Sequence, residues 1–144
     1  MTSSGEWTEP EADDLRRILA ETRTVAIVGA SANPMRPSYG VWESLRASSH
    51  YELYLVNPTI TDVDGVPAYP SLADLPVVPD MVDVFRRSEE LPAVLRDVLA
   101  LDPRPKTLWL QQGLWDEQVA RDGAAAGLQV VMDRCLKVDY ARYR

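Results

Sequence analysis

The sequence predicts an α/β chain built on a parallel sheet. Short apolar runs rich in β-branched residues recur along the chain, and segments with helical periodicity separate them. Thr24–Val28, the first run, is unbroken rather than alternating, which is the mark of a strand covered on both faces. Strands alternating with helices over this length imply right-handed crossovers and a doubly wound sheet.

The elements follow in order. Asp13 and Asp14 stand in the first turn of a helix whose Leu15, Ile18 and Leu19 form one apolar stripe. The strand at Thr24–Val28 stops at Gly29, and a polar, proline-containing loop runs to about Ser38. A helix over 39–46 leads to a second strand, 51–56, ended by Asn57-Pro58, which does not continue a ladder easily. Asp62-Val63-Asp64-Gly65 reads as a turn, and Ser71 to Pro76 as one capped helical turn. Met81–Phe85 is a third strand. Glu89 to Leu101 has apolar residues at 91, 94, 95, 98 and 99, the clearest 3.6-residue period in the chain. Thr107–Leu110 is a fourth strand, 116–126 a helix with Gly127 as its C-cap, and 129–132 a fifth strand. The expected architecture is a Rossmann-like doubly wound parallel sheet of about five strands with helices on both faces. One domain over residues 1–144 is expected, with residues 1–10 loosely ordered.

Composition narrows the function. The chain has 144 residues, a formal net charge of −7, one His and one Cys. An acidic balance argues against non-specific nucleic-acid binding and against adhesion to anionic membranes, which rest on Lys and Arg excess. The N-terminus lacks the basic and apolar regions of a secretory signal, and no run approaches the length of a membrane span. A chain with a lone Cys135 and no export signal is expected in a reducing cytoplasm. His50 falls at a helix-to-strand turn away from the carboxyl ends of the strands, so no catalytic triad can be assembled around it. No metal-ligand spacing is present either. Trp42, Trp109 and Trp115 fall on core-like elements, and Trp7 is either an anchor or exposed.

In open parallel sheets, ligands bind beyond the carboxyl ends of the strands, so the residues after each strand are the candidates. After the first come Gly29, Ala30, Ser31, Asn33, Pro34, Arg36, Ser38 and Tyr39. Gly29 permits a tight turn, the small residues let backbone N–H groups approach a ligand, and a helix N-terminus behind them favours an anion. The dinucleotide fingerprint is broken, with Ser31 and Pro34 where its second and third glycines would stand. After the second strand Asn57 and Pro58 replace the acid that would hold a ribose hydroxyl, which suits a ribose already carrying a phosphate. After the third come Phe85, Arg86 and Arg87, suited to a phosphate and an adjacent ring. Side-chain alternation turns only one arginine to the cleft, and Arg86 is preferred. Gln112 and Gly113 follow the fourth strand. Cys135 follows the fifth, where flanking Arg134 and Lys137 would favour its thiolate unless it is simply buried.

These motifs, taken in order from Val25–Tyr39 through Val56-Asn57-Pro58, Asp80–Arg86 and Leu108–Gly113 to Val130–Cys135, resemble the small stand-alone CoA-binding proteins of bacteria. Such proteins are similar to the CoA-binding domain of the succinyl-CoA synthetase α-subunit. The resemblance implies a Rossmann-like fold with CoA as ligand, its pyrophosphate on the Gly29–Tyr39 loop nearest Ser31, Pro34 and Arg36. Asn57-Pro58 and Phe85-Arg86 would border the nucleotide, and the pantetheine arm would run toward Gln112, Gly113 and Cys135. Ligase chemistry is not implied, because this chain has no suitably placed His. The leading expectation is a module that holds CoA or an acyl-CoA, with a mixed disulfide between CoA and Cys135 as a linked expectation. An NAD(P)-dependent oxidoreductase and a CoA-responsive regulatory protein are the alternatives, and no protein partner is indicated.

Overall fold

The computed structural model describes residues 6–144 and confirms the α/β class. Seven strands form one sheet: β1 (Thr24–Val28), β2 (Glu52–Val56), β3 (Asp62–Val63), β4 (Val66–Tyr69), β5 (Met81–Val84), β6 (Thr107–Leu110) and β7 (Gln129–Val131). Their order is β3-β4-β2-β1-β5-β6-β7. All neighbours are parallel except β3 and β4, which form an antiparallel hairpin. Counted without β3, the parallel strands lie in the order 3-2-1-4-5-6 of nucleotide-binding Rossmann sheets. The chain leaves β1 toward β2 and later returns to the opposite side at β5. The switch point is therefore the crevice between the carboxyl ends of β1 and β5.

The strand count exceeds the five expected. The hairpin was read only as the turn Asp62–Gly65, and that turn is real: Asp64 and Gly65 both have positive φ, 49° and 85°, as a two-residue hairpin loop requires. Its flanking strands have two and four residues, and Pro67 lies within β4, so neither carries a period long enough to read.

Helices α1 (Ala12–Glu21), α2 (Pro37–Ser48) and α5 (Leu136–Tyr143) cover one face, and α3 (Leu91–Leu99) and α4 (Glu117–Ala125) the other. Strand alternation sorts the side chains: Val25, Ile27, Met81, Trp109 and Val131 pack toward α1, α2 and α5 with Leu15, Leu19, Leu45 and Leu136. Ala26, Val82, Val84, Leu108 and Val130 pack toward α3 and α4 with Leu91, Leu95, Val98 and Val119.

Trp42 and Trp109 are buried as expected, whereas Trp115 is 43% exposed and stands edge-on to Trp7 at 5.6 Å. Trp115 belongs to the loop before α4, so the core expectation fails there. The Trp7 indole N–H donates to the Val130 carbonyl at 2.8 Å, which ties the start of the described chain to the edge strand. The expectation of looseness over residues 1–10 otherwise falls partly on residues 1–5, outside the described residues.

Candidate functional site

The local backbone at the end of β1 is set by close packing. Gly29 has φ +89°, and a Cβ there would lie 2.1 Å from the Phe85 carbonyl oxygen, so only glycine fits between β1 and β5. The Gly29 and Ala30 amides both donate to the Val56 carbonyl, at 2.9 and 3.2 Å. The Gly29 and Ala30 amides are thus engaged within the turn, although both residues line the cleft. Asn57 reinforces the turn, its side-chain amide donating to the Ala30 carbonyl at 2.7 Å while its oxygen accepts from the Thr59 amide at 2.8 Å. Asn57 is thus a brace between β2 and the loop.

The loop that follows is internally bonded. Ser31 Oγ accepts from the Asn33 amide and Asn33 Oδ1 from the Met35 amide, both at 3.0 Å. Pro37 then opens α2 at a position where a missing N–H costs nothing. In the first turn of this 12-residue helix Pro37 has no N–H and the Tyr39 amide donates to the Arg36 carbonyl at 3.1 Å, while Pro37 and Ser38 stand on the wall of the cleft.

A cavity of about 580 Å³ lies in this cleft, lined among others by Gly29, Ala30, Ser31, Arg36, Ser38, Asn57, Phe85, Arg86 and Gln112. Of the fifteen candidate positions these nine come together. Pro58 lines an adjoining chamber of about 320 Å³ whose other walls include Val28, Val56, Leu72 and Val94. Arg86 and Glu90 border both chambers. Asn33, Pro34, Tyr39, Gly113 and Cys135 are not on either wall.

Tyr39 instead faces the hairpin, its hydroxyl donating to Asp64, and this bond pushes its pKa up to about 12. Gly113 acts through its backbone: with φ +94° it donates its N–H to Asp133 Oδ1 at 2.7 Å, fixing the loop beside Gln112. Cys135 is half-buried at the N-terminus of α5. Arg134, expected to favour its thiolate, pairs with the buried Asp139 instead. The nearest link from this region to the cavity is Gln111, whose side-chain oxygen accepts from the Leu136 amide at 3.5 Å.

The walls also hold residues outside the preferred candidates, Arg87 among them. Gln111, Leu114, Arg87 and Glu90 all line the larger cavity. Both arginines face it, contrary to the expectation of one, because the extended strand ends at Val84 and a 3₁₀ turn over Ser88–Glu90 redirects the chain. Glu90 lies 3.0 Å from Arg87 Nε and 3.7 Å from Arg86 Nη1. Three arginines and one carboxylate give the wall a positive surplus inside a chain of net charge −7. No signal in the sequence placed Glu90, since an acid in the first turn of a helix is ordinary.

Elsewhere, His50 is exposed, with its ring nitrogens 2.9 Å from Tyr140 Oη and from the Thr22 carbonyl. Among the described residues no group of three His, Cys, Asp or Glu could hold a metal ion, and no helix is long and apolar enough to cross a membrane.

A parallel sheet in the nucleotide-binding order, with a glycine-floored, arginine-lined cleft at its switch point, defines a Rossmann-like ligand-binding domain. Residues 23–141 match the family model described as CoA binding domain, and the chain belongs to that family. It is 38% identical over 132 residues to the uncharacterized protein YneT of Bacillus subtilis (strain 168), covering 92% of this chain and 96% of YneT. The solved structure of cell-free ID.343 from Thermus thermophilus is 36% identical, with a TM-score of 0.85 over 94% of this chain and all of that one. The fold, at 21% identity and a TM-score of 0.66, also recurs in the dinucleotide-forming acetyl-coenzyme A synthetase 1 of Korarchaeum cryptofilum. There the match takes in 82% of this chain and 27% of the synthetase.

Proposed function

We propose that this protein binds coenzyme A, free or as an acyl thioester, across the carboxyl end of its sheet and holds it without transforming it. The whole chain is read as one such domain, working in the cytoplasm. The observation that carries the reading is the pair of adjoining chambers separated by Arg86. CoA has the same succession of parts. Its pyrophosphate suits the polar chamber, where Ser31, Arg36 and the start of α2 supply donors and positive charge. Its adenine suits the smaller chamber, where Pro58, Leu72 and Val94 offer apolar surface beside Ser71 and Asp97, and its 3′-phosphate falls between the two chambers at Arg86. The pantetheine arm then runs toward Gln111, Gln112 and Leu114. Membership of the CoA binding domain family supports this assignment. Cys135 stands off both walls, so this reading does not rest on it.

Titration calorimetry with CoA and dephospho-CoA tests the reading. The wild-type protein is expected to bind CoA more tightly than dephospho-CoA. Arg86→Ala is expected to weaken CoA binding by about tenfold or more, as loss of a charge-assisted hydrogen bond does, and to erase the difference between the two ligands. Absence of CoA binding at millimolar concentration would overturn the proposal. One observation favours a second reading: the Glu90 carboxylate is the kind of group that accepts ribose hydroxyls in NAD sites. Tighter binding of NAD than of CoA would support that reading instead.

A further inference from the structure

We infer that Glu90 is the resident counter-ion of Arg86 and Arg87 and holds down the site's preference for ligands bearing a terminal phosphate. A phosphomonoester displaces the carboxylate from both guanidiniums, whereas a ribose hydroxyl does not. This inference rests on the CoA reading of the cleft.

Three features of the geometry carry it. One carboxylate serves two guanidiniums, with one oxygen 3.0 Å from Arg87 Nε and the other 3.7 Å from Arg86 Nη1. The trio therefore keeps one net positive charge, and an anion of charge near −2 matches two arginines better than a single carboxylate does. The Glu90 side chain is 33% exposed and that of Arg86 26%, so the pairing is partly screened and exchangeable, unlike a buried ion pair. Finally, Glu90 is the N-cap residue of α3. A carboxylate turned off the arginines stays at a helix N-terminus, where negative charge is favoured. Displacement thus costs little for a dianionic phosphate. A neutral hydroxyl cannot draw the arginines away from Glu90, so a ligand without the phosphate leaves the trio as it stands.

The test compares CoA and dephospho-CoA binding to the wild-type protein, Glu90→Gln and Glu90→Asp by calorimetry at fixed ionic strength. Glu90→Gln keeps the size of the side chain and removes its charge. It is expected to tighten CoA binding by about three- to tenfold while moving dephospho-CoA by less than about twofold. Glu90→Asp, whose carboxylate is drawn back by one methylene, is expected to fall between. Equal tightening of both ligands would show a general charge effect and overturn the inference. Weaker CoA binding in Glu90→Gln would overturn it too, by showing that the carboxylate positions the arginines rather than competing for them. Both of these outcomes leave the CoA reading intact. Failure of the wild-type protein to bind CoA would remove the CoA reading and this inference together.

Discussion

Asp83 is the residue whose environment conflicts most with its chemistry. It lies in β5 between Ile27 of β1 and Trp109 of β6, is fully buried, and neither carboxyl oxygen has a hydrogen-bond partner among the described residues. Burial pushes its pKa well above the usual carboxylate range, so the protonated form is the one the fold tolerates. The consequence for stability has a definite sign. The folded protein holds this proton where the unfolded chain, with a pKa of about 3.9, has released it. Stability is therefore lost as pH rises from about 4 through the folded-state pKa, at a slope of up to about 1.4 kcal/mol per pH unit. Asp83→Asn keeps the shape and removes the titration. Denaturant melts from pH 4 to 8 are expected to show a decline in the wild-type protein that is shallower in Asp83→Asn, and parallel profiles would contradict the account. Met81–Phe85 reads as a core strand, but nothing in the sequence shows that Asp83 lacks a polar partner within it. The sheet order supplies the reason, since it sets Asp83 between the apolar Ile27 and Trp109 of its neighbouring strands.

The site is assembled where elements end, and legibility differed between element ends for physical reasons. The end of β1 could be read because its constraint is local: a glycine after an unbroken apolar strand marks a tight turn whatever the rest of the chain does. The close approach of Phe85 that makes glycine necessary there is a long-range contact and was invisible. Gly29→Ala is expected to cost about 2 to 4 kcal/mol in urea melts, combining left-handed backbone strain with the clash against β5. Gly113→Ala is the internal control, because its φ is also positive but the space around it is open. A cost of only about 1 to 2 kcal/mol is expected there. Equal losses at the two positions would show that the Phe85 contact does not matter. The end of β5 was only half legible. Alternation held as far as the strand did, and the 3₁₀ turn after it brought Arg87 and Glu90 to the same wall as Arg86. The hairpin β3–β4 and helix α5 were missed because both depend on docking: the hairpin extends the sheet through β2, and α5 lies on α1 and α2.

At the scale of the whole molecule, charge and topology act in opposite directions on a ligand. A net charge of −7 repels anions at long range, while the switch point gathers three arginines and the start of α2 within one cleft. The sequence made the fold class and the position of the cleft legible, since both follow from alternating strands and helices and from what stands after each strand. It did not reveal the chamber beyond Arg86, whose walls come from β1, β2, the loop after β4 and α3. The central claim is that the two chambers together fit CoA better than a dinucleotide. Native mass spectrometry of the protein with CoA and NAD present at equal concentration tests it most directly. The account predicts a one-to-one CoA complex that outnumbers the NAD complex. Equal or greater occupancy by NAD would contradict it.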